Sequence, residues 1–155
     1  MRRWIVYLLL FCAVLALNGE PFGGTDLAQL SPVKLLQISR QADTLRIETD
    51  TGYSGEGADL DAALQDLADT TPGMIFLETA DYLLLSPDCQ TLLPALADSL
   101  RPACAVCLTW DTPELEEAAE YLTVHEPDVT LHDCLTGQPE LPVLVQQKGR
   151  LCLVQ

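Results

Sequence analysis

Fourteen consecutive apolar residues, Trp4 to Leu17, stand directly after Arg2 and Arg3 and are stopped by Asn18, Gly19 and Glu20. No polar position interrupts the run, so it has no solvent face and does not read as an amphipathic surface helix. A basic pair followed by an apolar stretch is the layout of an export signal. As a helix the run spans ~21 Å at ~1.5 Å per residue, short of a ~30 Å hydrocarbon core. Residues 1–18 are therefore expected to be a signal peptide or a short signal anchor rather than a full span. Leu15 to Gly19 offer no good small-x-small triplet, which leaves cleavage and retention both open. Cys12 does not make a lipobox, because Phe11 stands where a small residue is needed. The paired arginines predict a cytoplasmic N-terminus and place the chain after Asn18 outside the cell membrane.

Charge divides along the same line. The chain has 23 acidic and 8 basic side chains, a formal net charge of -15. Arg2 and Arg3 belong to the leader, so the remainder sets six basic groups against 23 acidic ones. A surface of that sign repels phosphates, so no nucleic-acid partner is expected. Anionic lipid is disfavoured too, leaving residues 4–17 as the expected membrane contact. Of the six cysteines, Cys12 lies in the leader, and the five outside it cannot all pair within one molecule.

Gly19 to Gly24 is rich in glycine and proline and opens a tether expected over residues 19–30, before a single domain over 31–155. In that domain Val33 to Ile38 and Thr44 to Thr49 read as a hairpin turned through Gln41, Ala42 and Asp43. Gly52 to Gly57 reads as a polar glycine loop. Asp59 caps an expected helix whose Leu60, Ala63, Leu64, Leu67 and Ala68 share one stripe. A strand is expected at Met74 to Leu77, with Tyr82 to Ser86 continuing it or pairing with it. A second helix is read over Thr91 to Leu100, with Pro94 in its first turn, and a buried strand over Ala103 to Thr109. Thr112 is the expected cap of a third helix presenting Leu115, Ala118, Ala119 and Leu122. Leu141 to Val145 and Leu151 to Val154 close the chain as a hairpin around Lys148 and Gly149. The order predicts an α+β (mixed α/β) fold, a mixed sheet of about five to seven strands with three helices packed on it.

Cys104 and Cys107 form a CxxC, a spacing used by redox dithiols and zinc sites. Inside an apolar strand the two point to opposite faces, which makes buried, unpaired thiols the favoured reading. His125, Asp128, His132 and Cys134 gather potential metal ligands in the loop after the third helix, without the spacing of a helical metal site. Gly55-Glu56-Gly57 before a helix has the outline of an anion cradle, but Glu56 and Asp59 oppose a phosphate, and a turn into the helix is the better reading. No catalytic residue, cofactor or metal is assigned. A thiol-dependent or metal-assisted enzyme using the Cys104/Cys107 pair or the His125–Cys134 segment is an alternative, as is a small exported solute-binding module.

The middle of the chain, about residues 25–125, resembles the N-terminal domain of the Ger(x)C spore germination protein family, subunits of membrane-bound germinant receptors. Gly57, Leu60 and Ala63 match a G-x-x-L-x-x-A element, with Gly55 as the preceding glycine. Thr25-Asp26-Leu27 and Val33 to Ile38 match the opening, and Ile75-Phe76, Leu83 to Leu85, Leu92 to Arg101, Val106 and Glu114 to Leu122 follow in order. The resemblance implies a non-enzymatic, membrane-tethered, extracytoplasmic domain that contacts membrane-protein subunits of a germinant-receptor-like complex.

Overall fold

The computed structural model describes residues 30–137 and 139–154. The expected leader and the tether before Leu30 lie outside the described residues. Seven strands form one mixed sheet: β2 (Leu35–Gln41), β3 (Thr44–Thr49), β4 (Ser54–Gly57), β6 (Tyr82–Leu85), β7 (Ala105–Thr109), β8 (Val143–Gln147) and β9 (Arg150–Val154). Their order across the sheet is β4-β3-β2-β6-β7-β8-β9. Strands β2, β6, β7 and β8 run parallel, and antiparallel hairpins flank them at both ends. β1 (Leu30–Pro32) and β5 (Met74–Phe76) make a separate two-stranded parallel ladder.

Among the described residues four helices complete the α+β fold: α1 (Leu60–Thr70), α2 (Leu93–Leu96), α3 (Leu115–Val124) and α4 (Leu131–Thr136). Leu36, Ile38, Leu83, Leu85 and Val106 face one apolar core with Leu60, Ala63 and Leu67 of α1, Leu96 of α2 and Leu131 of α4. Leu35, Tyr82, Leu84, Ala105 and Cys107 face the other, under Ala118, Ala119 and Leu122 of α3. All four residues of β6 are buried, as a strand covered on both faces requires.

Both predicted hairpins are present, one turning at Ala42, which takes φ +54°, and one at Lys148 and Gly149. Asp59 caps α1 by accepting from the Ala62 amide at 2.9 Å, while Ala68 of the predicted stripe is exposed. Other expectations are corrected. The segment read as a glycine loop is in part strand β4, which pairs Gly55 with Ile47 and Gly57 with Leu45. Its lack of apolar alternation hid it, because glycine leaves no side chain to alternate. β5 neither continues into β6 nor pairs with it. A 3-10 turn at Leu77–Thr79 intervenes, and β5 pairs with β1 instead. The second helix shrinks to a 3-10 turn over Pro87–Leu92 and the single turn of α2. α3 is capped at Glu114, without a side-chain bond, rather than at Thr112. A fourth helix, α4, occupies part of the segment read as loop; Thr130 and Asp133 form its capping box.

α1 lies tightly against β4. A Cβ on Gly55 would lie 2.4 Å from the Ala63 carbonyl oxygen and the Leu67 nitrogen, and one on Gly57 would lie 2.3 Å from the Ala63 nitrogen. Backbone meets backbone there, so neither side yields by a rotamer change. Gly55→Ala and Gly57→Ala are each expected to destabilise the domain by about 3 kcal/mol or more, the upper end of overpacking costs. Gly52→Ala meets nothing within 4 Å and bears only the strain of φ +85°, about 1 kcal/mol. Urea unfolding midpoints of the three variants check the ranking.

Candidate functional site

Cys104 and Cys107 fall where the strand reading put them, on opposite faces of the chain at β7. Cys104 joins the core under α1, α2 and α4, and Cys107 joins the core under α3. Both are free and fully buried. Burial pushes the thiol of each from 9.0 up to about 12; Arg101 pulls slightly the other way at Cys104, and Cys104 adds to the rise at Cys107. A nucleophilic or metal-binding sulfur needs the opposite, an electropositive and accessible setting that stabilises thiolate.

The His125–Cys134 set does not converge. His125 is exposed and lies against the Tyr121 ring with centroids 4.5 Å apart. His132 is exposed on α4. Asp133 accepts from the Thr130 amide and hydroxyl, and these bonds hold its carboxyl below the usual range. Cys134 is half-buried, and its thiol is raised by burial and by Asp133. Among the described residues no group of three or more His, Cys, Asp or Glu is placed to hold a metal ion.

Gly55 and Gly57 likewise serve packing. The Glu56 amide between them donates to Asp66 Oδ2 at 2.8 Å, so a backbone donor that an anion cradle would use already serves a carboxylate. Leu60 and Ala63, the other residues of the family-like element, are buried against the same sheet face.

Two grooves remain. One of about 660 Å³ lies between the Pro87–Leu92 turn, α2 and α4, with Leu93, Pro94, Leu135 and Leu141 as apolar walls and Cys134 on its lining. The sequence does not signal it, because α4, which supplies one wall, is too short to show a helical period. The other, about 430 Å³, lies between the β3–β4 hairpin and the start of α3 and is lined by Arg46, Glu48, Asp50, Glu114 and Glu116. Arg46 is bound there by Glu48 at 2.9 Å and Glu56 at 3.4 Å, so the groove keeps an acidic character. No protein-family model matches the chain, and neither a curated protein nor a solved structure is significantly similar to it.

Thiol accessibility is directly testable. Iodoacetamide is expected to label exposed Cys152 first and half-buried Cys134 more slowly, with Cys89, Cys104 and Cys107 reacting only on unfolding; peptide mass mapping reads the order. The raised thiols also set a pH response. Because Cys104 and Cys107 keep their protons up to about 12 when folded, the unfolded chain ionises first. Their contribution is whole below pH 9 and declines as pH rises towards 12, by up to ~1.4 kcal/mol per pH unit for each thiol. A Cys104→Ala/Cys107→Ala protein is expected to lose stability less steeply than the wild type between pH 9 and 11 in urea titrations.

Proposed function

We propose that the protein is an exported, membrane-tethered, non-enzymatic domain similar to the first domain of the germination-receptor subunits. It works through contacts with membrane-protein subunits of a receptor-like complex in a spore-former's envelope. The observation that carries this reading is the packing of Gly55, Gly57, Leu60 and Ala63. These residues of the family-like element lock helix to strand, and the chain runs through hairpin, glycine-containing segment, helix and strand in the order that the resemblance implies. Further support comes from the leader-like N-terminal sequence. The raised, buried thiols argue against the thiol-dependent alternative. A solute-binding role is favoured by one feature, the 660 Å³ groove, which has the size of a small-molecule site and uncharged walls.

Deleting the gene in its spore-forming host, and tracking a C-terminal periplasm-active reporter fusion, tests the reading. Slowed or lost germination, with the fusion active outside the membrane and sedimenting with it, is the expected result. Unchanged germination and a fusion soluble in the cytosol would overturn it.

A further inference from the structure

Residues 141–155 contain Lys148 and Arg150 and no acid, whereas residues 30–140 hold four basic side chains and 21 acidic ones. The β8–β9 hairpin is thus a basic island on an acidic body. Neither Lys148 nor Arg150 joins an ion pair among the described residues. A two-residue turn with Lys148 at φ +52° and Gly149 at +74° fixes the register, opposing Gln147 to Arg150.

One face of this hairpin is already used: Leu144, Leu151 and Leu153 pack with the α3 core. The other carries Val143 opposite Val154 and Val145 opposite Cys152, in a row continued by Leu108 of β7. Val154 and Cys152 are exposed, and Val143 and Val145 are half-buried. Leu141, two residues before β8, is a wall of the 660 Å³ groove, so the apolar surface runs on towards it.

We propose that this face of β8–β9 docks an acidic, apolar, extended segment of a partner protein. The inference rests on the reading of the protein as a contact domain and names the contact surface. Val143 and Val145 of β8 with Cys152 and Val154 of β9 offer an apolar floor, and Arg150 and Lys148 at one end select carboxylates. At physiological salt a charge is felt over about 8 Å, so the island acts locally while the remaining acidic surface repels the same partner. Such a segment therefore lands here and in one orientation. It lies across the face rather than adding a full strand to the edge, because the Leu153 amide on that edge already donates to the Tyr121 hydroxyl at 3.1 Å.

The test uses the full chain in neutral detergent and two fluorescein-labelled ten-residue peptides, one alternating Asp with Val and the other Lys with Val. Fluorescence anisotropy is expected to show the Asp peptide binding, weakening as salt rises, and the Lys peptide failing to bind. Lys148→Glu/Arg150→Glu is expected to lose about tenfold or more in affinity, as reversal of two surface charges implies, with an unchanged urea midpoint. Val145→Asp, which keeps both cations, is expected to weaken binding as well. Equal binding of the two peptides, binding of neither, or indifference to both variants would overturn the proposal. So would hairpin-dependent self-association in sedimentation, or hairpin-dependent preference for phosphatidylglycerol over phosphatidylcholine vesicles. None of these readouts depends on germination or on where the chain resides, so failure here leaves the broader reading standing.

Discussion

Helix α1 rests on the backbone of β4 rather than on its side chains, and the arrangement of the first half of the fold depends on that contact. With hydrogen in place of Cβ at Gly55 and Gly57, the helix sinks far enough for Leu60, Ala63 and Leu67 to join Leu36, Ile38, Leu45 and Ile47 in one core. The same proximity brings polar side chains of α1 to the outer edge of the sheet. Asp66 accepts from the Glu56 amide, and the Thr70 hydroxyl lies 3.0 Å from the Ser54 carbonyl. One pair of glycines thus provides both a deep helix seat and a covered strand edge, which removes a template for unwanted pairing.

The second half solves the same problem with different parts. α3 crosses the opposite face on Ala118, Ala119 and Leu122, small enough on one side to lie close to β2. Its Tyr121 reaches over β9 to the Leu153 amide. β7 is held on one edge by β6 and on the other by two partners in succession. The Val129–Leu131 segment bonds around Cys104 and Val106, and β8 takes over at Leu108 and Thr109. That division lets the chain pass from α3 on one face to α4 on the other before β8 begins. CxxC sits where this central strand is most enclosed, which accounts for its chemical quiet.

Legibility in the sequence followed the strength of side-chain patterning. β3 alternates Leu45 and Ile47 with Arg46 and Glu48, and α1 repeats at helical spacing after a capping Asp59, so both were readable. β4 was not, since a strand built of Ser-Gly-Glu-Gly is defined by what packs on it from elsewhere. α2 and its preceding 3-10 turn were overestimated because Leu92, Leu93 and Leu96 fit a longer helix, whereas the chain needs only one turn before reaching Arg101. There Arg101 binds Asp81 and donates to the Ala80 carbonyl, tying this connection to the start of β6. α4 was missed because six residues carry too little periodicity to register. The groove beside Cys134 was lost with it. The opposed orientation of Cys104 and Cys107 was legible from strand geometry alone.

The entry of the chain into the sheet has a mechanical side. After β1, Val33 is gripped through both its amide and its carbonyl by Thr79 Oγ1 at 3.1 Å, and Asp50 Oδ1 takes the amides of Lys34 and Leu35. The next residues are β2, paired with β6 over Leu35 to Ile38 and with β3 from Leu36 onward. A load applied at Leu30 and directed along β2 meets hydrogen bonds lying across the direction of pull, so they share it in shear instead of opening one at a time. A pull entering at Leu30 is therefore resisted at the strand that organises the centre of the sheet, and it reaches both cores together, since Leu35 lies in one and Leu36 and Ile38 in the other.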